Sequence, residues 1–479
     1  EELKLHGQDH IFNSFPDLSI DSPIVQQLTK ECRNWKSTLK NYAVAKTSGV
    51  IDQSVVKPLS SGNVIDWKDA DDEVKSRLWK VGLGAVSGGK IAAVIMSGGQ
   101  GTRLGFAGPK GMYSIGMPSD KSIFQLHIEK LIGASRLSGC STPNIPVYLM
   151  TSSLNDAQIR QYFEANNYFT YPKELVYFFE QRLEPCLSND GKIIIESEKS
   201  LSMAPDGNGG IYGALQQSGA LEDMRKRGCT GLHIYGVDNI LTKACDPAFI
   251  GLCIDRGAEC GNKVVWRANK DEKVGVTVEC DRRMHIVEYS DITKDMAEAM
   301  SGVGDKLLYG AGNICNHYVT VEFVSSKILC QLSDIYHLAP KKIPHIDLST
   351  MQQVIPTSNN GVKMEMFIFD VFPLADTWVV MEVAREEEFA PVKNAPLATT
   401  DSPDTARILI SQQSLRWLVA VNATFVNEEG DVIPVNTLLD GSNENIGKYL
   451  CEISPQLSCH GENLESFANE KVVLPCYLS

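Results

Sequence analysis

The stretch IAAVIM (residues 91–96) runs directly into SGGQGTRLGFAGPKGM (residues 97–112). The apolar run reads as a buried strand. The turn after it carries glycines at 98, 99 and 101, so backbone N–H groups at the carboxyl edge of a sheet can approach a ligand's oxygens closely. Open α/β sheets take their ligands at that edge. Arg103 and Lys110 lie in the same turn and supply positive charge, and Pro109 fixes the backbone just before Lys110. Two common phosphate-binding patterns do not apply. Counted from Gly99, the last glycine of GxGxxG would fall on Leu104, one short of Gly105. Lys110 follows Pro109 and precedes Gly111, so GxxxxGK(S/T) fails as well. On these residues alone, a flexible glycine turn with solvated charges competes with a phosphate loop.

Outward from this stretch, short apolar runs alternate with helix-length segments. The runs are Ile91–Met96, Val147–Met150, Leu175–Phe179, Leu232–Val237 and Val264–Trp266, and helical patterns cover 156–165, 211–227 and 247–256. That alternation predicts an α/β fold whose sheet is mostly parallel. Val274–Cys280 and Met284–Tyr289, split by residues 281–283, predict a hairpin, which makes the sheet mixed. Residues 1–85 read as a helical N-terminal domain. Ser22-Pro23 is a helix start, followed by a stripe of Ile24, Leu28, Cys32, Trp35 and Leu39. A second helix opens at the acidic residues 69–73, continues through Val74, Leu78 and Val81, and ends near Gly88-Gly89. Residues 86–398 form the central domain. Residues 399–479 read as a small C-terminal domain, with strand-like pieces at 417–421 and 431–434.

The bulk properties are those of a globular protein with 43% hydrophobic and 22% charged residues. A formal net charge of -14 argues against nucleic acid or an anionic membrane as partner. Thirteen cysteines without a CxxC pair support neither a zinc site nor a redox motif, and suggest reduced thiols in a cytoplasmic protein. No run of eighteen apolar residues and no charged-then-apolar leader is present, so neither a membrane span nor a signal peptide is expected. The chain begins at Glu1, which leaves its native start open. Oligomeric state is not legible.

The glycine turn resembles the signature of the eukaryotic UDP-N-acetylglucosamine pyrophosphorylases, within the wider UDP-sugar pyrophosphorylase group. Collinear resemblance continues at MAPDGNGG (203–210), YGVDN (235–239), VEYS (287–290) and GNICNH (312–317). It resumes at KMEMFIFD (363–370), EFAPVKN (388–394), ISPQL (453–457) and GENL (461–464), covering roughly residues 75–470. The resemblance implies a Rossmann-like nucleotidyltransferase that joins UTP to N-acetylglucosamine 1-phosphate, giving UDP-N-acetylglucosamine and pyrophosphate.

Carried over by motif, the resemblance assigns backbone contacts with the nucleotide to Gly98 and Gly99. Gln181 would read uracil, whose N3–H and carbonyl suit an amide. Gly207 would lie against the base, and Asn208 would bond the sugar. Asp238, at a strand end, would hold Mg²⁺. Glu288, Tyr289 and Asn313 would contact the sugar. Lys363 and Lys393 would contact phosphates. Arg103 and Lys110 are expected on the pyrophosphate side and Lys393 on the sugar-phosphate side. Without the resemblance, residues 205–210 read more readily as a surface turn, and the plain alternatives are Asp238 as a capping residue and the two lysines as solvated. His317, lacking a partner in sequence, is expected to be structural. The expected chemistry is in-line attack by the sugar phosphate on the α-phosphorus, which needs cations and no Ser, Cys or His nucleophile. Two alternatives stand beside it: another sugar 1-phosphate (N-acetylgalactosamine, glucose or galactose), or a non-catalytic homologue that binds a UDP-sugar. The loop YGAGN (309–313) favours the N-acetylated branch.

Overall fold

The computed structural model describes residues 2–15, 17–31, 35–46, 53–302, 306–331, 336–439 and 447–479. At its centre is a ten-stranded sheet. In chain order the strands are β1 (Val64–Asp66), β2 (Ile91–Met96), β3 (Val147–Thr151), β4 (Val176–Glu180), β5 (Gly231–Gly236), β6 (Cys260–Trp266), β7 (Val276–Cys280), β8 (Arg283–Val287), β9 (Ala311–Thr320) and β10 (Trp378–Glu382). They lie side by side as β1-β10-β6-β9-β5-β2-β3-β4, with the β7–β8 hairpin attached to β9. Neighbours along this order are parallel except at β9, which runs antiparallel between β5 and β6. The expected mixed sheet is therefore present. The β7–β8 turn places Asp281 and Arg282 at φ 48° and 63°, the twist that a tight hairpin requires.

Strand β2 shows why the sheet is buried on both sides. Ile91, Ala93 and Ile95 enter the core on one face, and Ala92 and Val94 enter it on the other. The first face is covered by α1 (Asp72–Ser87), α2 (Ile123–Leu137), α3 (Asp156–Ala165) and α6 (Pro247–Asp255). The second is covered by α4 (Ile211–Gln217) and α5 (Ala220–Lys226). The sequence suggested one helix over residues 211–227. Gly219, at φ 80°, takes a left-handed turn there and divides it in two. Side-chain oxygens of Asp71, Ser122 and Asp246 cap α1, α2 and α6.

Three expectations are corrected. The segment 417–421 is not a strand; it ends helix α7 (Pro403–Ala420), which starts at a capping box of Ser402 and Thr405. Leu415 and Leu418, three residues apart, share the buried face of that helix. Near 431–434 only an isolated bridge from Val426 to Val432 forms. The boundary at residue 85 also cuts through the central layer, because β1 pairs with β10 and α1 packs on the sheet. The earlier residues do form their own cluster. Ile24, Leu28 and Trp35 of the expected stripe are buried against Leu187, Ile193, Val362 and Met364, whereas Cys32 lies outside the described residues. The C-terminal residues build a further core around Leu415, Phe425 and Val472. Among the described residues no helix is long and apolar enough to cross a membrane.

Several polar side chains inside the sheet bond to one another across strands. The backbone N–H of Cys245 donates to Nδ1 of His233, so its Nε2 carries the proton and donates to Asn316 at 2.7 Å. His317 donates from Nδ1 to Asn262 at 2.9 Å, and the Asn262 amide reaches Thr277 at 3.0 Å. His317 is structural, as expected. Burial opposes the imidazolium form in both rings, lowering His233 to about 4 and His317 to about 3.

Helices α1 and α6 meet at glycines: a Cβ on Gly82 would lie 1.9 Å from the Pro247 carbonyl oxygen, and one on Gly251 1.8 Å from that of Leu78. Gly251→Ala is expected to cost about 1–3 kcal/mol, read as a lower urea midpoint. Gly84→Ala, where a Cβ meets nothing within 4 Å, should hold or raise that midpoint. The buried histidines set an acid dependence. Unfolded, they bind protons below about pH 6.5; folded, they stay neutral until near their lowered values. Their contribution is thus complete above pH 6.5 and declines as pH falls toward 4, by about 1.4 kcal/mol per pH unit for each ring. Urea titrations between pH 7 and 4.5 should show a shallower acid loss for His317→Gln than for the parent.

Candidate functional site

The turn after β2 is closed by its own backbone. Gly101 N–H donates to Gly108 O at 2.8 Å, and Lys110 N–H donates to Gly99 O at 3.1 Å. Between them a short helical turn, Thr102–Leu104, buries Leu104 and ends at Gly105 in the left-handed region. The Phe106 ring fills the loop, and a Cβ on either Gly101 or Gly108 would come within 2.9 Å of it. Gly111 packs on Phe124, where a Cβ would sit 2.4 Å from the ring. The crowded glycines are therefore 101, 108 and 111. Gly99 faces open space, where a Cβ would meet nothing within 4 Å, and a Cβ on half-buried Gly98 would make only ordinary contacts at 3.6 Å, one of them with Gln181. The absence of a side chain at Gly99 leaves backbone uncovered, while the crowded glycines give the loop its shape.

Opposite Gly98 stands Gln181, directly after β4. Its amide nitrogen donates to Gly207 O and, at 3.2 Å, to Asp206, which turns its carbonyl oxygen toward Gly98. Gly207 has φ 82°, and a Cβ there would strike Met366 O at 2.2 Å. Residues 206–209 are locked to residues 366–368 by Met366 N–H to Asp206 O (2.8 Å), Gly209 N–H to Met366 O (2.9 Å) and Ile368 N–H to the Asn208 side chain (3.0 Å). Asn208 thus spends its carbonyl oxygen on the backbone, and its NH₂ is the group left for a ligand.

Strand β5 ends at Gly236, and the carboxylate of Asp238 folds back into the space a side chain there would occupy, 2.6 Å from that Cβ position. This turn is sewn to the 388–393 segment. Val392 N–H donates to Asp238 O (2.9 Å), Asn239 donates to Glu388 O (2.7 Å), and Ala390 N–H donates to Asn239 (2.9 Å). Lys393 and Asn394 N–H both bond to Asp401 O, at 2.7 and 2.9 Å. The seam brings Lys393 beside Asp238, and the glycine turn delivers Lys110 and Arg103 to the same place. Burial depresses the Lys110 ammonium; Asp238 opposes the shift, and Lys393 and Arg103 add to it. Burial likewise raises Asp401, against the pull of Lys393.

Beneath the seam lies a group the sequence reading missed. Lys263, fully buried in β6, is held between Asp246 and Glu388 at 2.5 Å each. The available signal was a lysine directly before the apolar run Val264–Trp266.

On the other side of Asp238, Glu288 follows β8 and is half-buried. Burial raises its carboxyl, and Asp291 and Asp370 add to the shift. Asn313 N–H is held by Gly275 O at 2.8 Å, and its side chain accepts from Cys315 N–H at 3.1 Å. Tyr289 is 51% exposed. Two further residues here were not anticipated. His337 meets Asp370 at 3.0 Å, which raises its imidazole, and its ring lies 4.7 Å from that of Phe367. The Cys315 thiol, pushed up to about 12 by burial, lies within the field of Asp238, Lys393 and Glu288 and so joins the two halves of the site. Lys363 lies on the strand Gly361–Glu365, which leads to Met366 and its bonds with Asp206 and Gly209. Among the described residues no group of three or more His, Cys, Asp or Glu could hold a metal by itself.

The family described as UTP–glucose-1-phosphate uridylyltransferase matches residues 32–441. A Xenopus tropicalis protein named UDP-N-acetylhexosamine pyrophosphorylase-like protein 1 is 43% identical over 82% of this chain and 77% of its own. UDP-N-acetylglucosamine diphosphorylase 2 of Arabidopsis thaliana is 36% identical over 100% of this chain and 93% of its own. Among solved structures, the UDP-N-acetylglucosamine pyrophosphorylase of Trypanosoma brucei in complex with an inhibitor superposes with a TM-score of 0.82 at 30% identity, covering 97% of this chain and 93% of that one. A fold built on a glycine turn with gathered cations, matched along most of its length, places this chain in the UTP–glucose-1-phosphate uridylyltransferase family.

Proposed function

We propose that this chain is a uridylyltransferase that makes UDP-N-acetylglucosamine and pyrophosphate from UTP and N-acetylglucosamine 1-phosphate. The observation that carries the reading is the convergence of Lys110, Arg103 and Lys393 on Asp238 at the carboxyl edge of the sheet, beside an uncovered glycine backbone. Two polyanions must meet for this reaction, and their repulsion is the main barrier that fixed cations can lower. A phosphate oxygen of the sugar phosphate attacks the α-phosphorus of UTP in line, and pyrophosphate leaves. Lys110 and Arg103 take up charge on the leaving pyrophosphate, and Lys393 holds the attacking phosphate. Gln181 reads the uracil while Gly207 lies against the base. Glu288, Asn313 and Asn208 orient the sugar hydroxyls and acetamido group, with Tyr289 at the rim.

The donor set suits Mg²⁺ bound mainly by substrate. Asp238 offers one carboxylate, and Mg²⁺ commonly takes one or two carboxylates and completes its shell with phosphates and water. When bound, the ion neutralises phosphate charge. Lys363, on the strand that leads to Met366 and the Gly207 turn, adds a further contact to the nucleotide phosphates. The choice of the acetamido sugar is supported by the names of the full-length relatives and by the YGAGN loop. The family's own description names glucose 1-phosphate, which makes glucose the second reading.

Pyrophosphate release with UTP, Mg²⁺ and a panel of sugar 1-phosphates tests this directly. N-acetylglucosamine 1-phosphate is expected to lead, and release should stop with EDTA. Turnover led by glucose 1-phosphate would overturn the sugar assignment alone. UDP-sugar binding without any release would overturn the enzyme. Lys110→Ala and Lys393→Ala should each lower kcat by about 100–1000-fold, with little change in thermal midpoint. Glu288→Gln should raise KM for the sugar phosphate and leave KM for UTP unchanged.

A further inference from the structure

The C-terminal region brings two cysteines together across a strand pair. Strands Cys451–Ile453 and Cys476–Leu478 run parallel, with Cys451 directly opposite Cys476. Adjacent strands stand about 4.8 Å apart, inside the Cα separation that a disulfide tolerates. The two sulfurs are 3.7 Å apart, so no backbone rearrangement is needed to join them. Cys451 is fully buried and Cys476 is half-buried, which leaves one thiol within reach of a small oxidant and the other shielded behind it.

The residues that follow each cysteine grip the catalytic body. Glu452 accepts from Ser119 N–H at 2.8 Å and from the Ser119 hydroxyl at 2.7 Å. The Tyr477 hydroxyl bonds to Lys121, whose ammonium also pairs with Glu129 at 2.6 Å. Ser119 and Lys121 lie on the segment between the glycine turn and helix α2. The last strand of the chain therefore fastens the stretch that leads away from Lys110.

We propose that Cys451 and Cys476 are a modification site: a thiol pair that hydrogen peroxide converts to a disulfide, locking the two strands together and with them their hold on Ser119 and Lys121. The Cys476 thiolate attacks the peroxide oxygen and becomes a sulfenic acid, releasing hydroxide. Cys451 sulfur then attacks that sulfur, the S–S bond forms, and the sulfenic oxygen leaves as water. In all, two thiols lose two electrons and two protons, and one peroxide is reduced to two waters. The contact between the thiols supports this order of events, since it holds Cys476 below the ordinary thiol range and Cys451 above it. Cys459 is the nearby competitor in sequence. Its sulfur contacts Pro455 O at 2.8 Å, and burial raises its thiol to about 12.

The test treats the full chain with hydrogen peroxide, blocks remaining thiols and digests with trypsin without reductant. The expected product is peptide 449–471 linked to peptide 472–479, lost on adding dithiothreitol and absent in Cys476→Ser. Because the first peptide holds both Cys451 and Cys459, Cys459→Ser must retain the link. Oxidation should also raise the thermal midpoint reversibly, and Cys476→Ser should lose that shift. Oxidation of the exposed Cys330 without any linked peptide would overturn the proposal. A link that maps to Cys459 would overturn it as well. A correct link with no change in thermal midpoint would overturn the locking role. These readings on the parent chain decide the matter even if a variant folds poorly.

Discussion

A lysine with no solvent exposure, between two carboxylates, holds the catalytic edge together. Removing an ammonium from water costs several kcal/mol, and only close pairing with good hydrogen bonds offsets it. Lys263 meets that condition with Asp246 and Glu388, and each of those carboxylates has a second duty. Asp246 accepts from Ala248 N–H at 3.1 Å and so caps α6. Glu388 opens the segment that ends at Lys393, and its carbonyl takes the Asn239 amide. One buried charge thereby fixes the register between β6, the start of α6 and the loop that carries Lys393. If that register moved, Lys393 would no longer stand beside Asp238.

The antiparallel strand β9 supplies the second half of the site. Its insertion between β5 and β6 puts Asn313 and Cys315 next to the turn that holds Asp238, and hangs the β7–β8 hairpin with Glu288 from its edge. Cys315 has φ 54°, a kink among otherwise extended residues, and the Asn313 side chain braces it. Two side-chain pairs, His233–Asn316 between β5 and β9 and His317–Asn262 between β9 and β6, tie the three strands from within. Apolar contacts there would stabilise the layer without fixing register, whereas hydrogen-bonded side chains accept only one alignment.

The two chain ends play parallel parts. The N-terminal helices bury Ile24, Leu28 and Trp35 against the strands around Leu187 and Val362, and so back the segment that reaches Met366 and Gly207. The C-terminal region grips Ser119 and Lys121 from the opposite end of the glycine turn. Helix α7 links it to the centre, with Ala406 in the central core and Leu418 in the C-terminal one.

Local patterns in the chain determine much of this. IAAVIM and the glycines after it fix a buried strand and an open turn, since a continuous apolar run and missing side chains have few other solutions. The hairpin at 276–287 and the helix caps at Asp71 and Asp246 are equally local, whereas the choice of Lys110, Arg103 and Asp238 over solvated or capping roles came from the collinear motif resemblance. The strand-like look of 417–421 misled because a buried helix end and a short strand carry the same apolar residues; only the capping box upstream separates them. Gly101, Gly108 and Gly111 could not be told from Gly98 and Gly99, because crowding by Phe106 and Phe124 exists only once the loop has closed. Lys263, His337 and Cys315 were beyond reach for a related reason. Their roles depend on partners such as Glu388, Asp370 and Asp238, far away in sequence, and Coulomb and hydrogen-bond forces of short range act only after the sheet has brought those partners together. The sequence by itself determined which residue types stand at the sheet edge; the tertiary structure decided which of them meet, because contact between distant segments is set by strand order and burial.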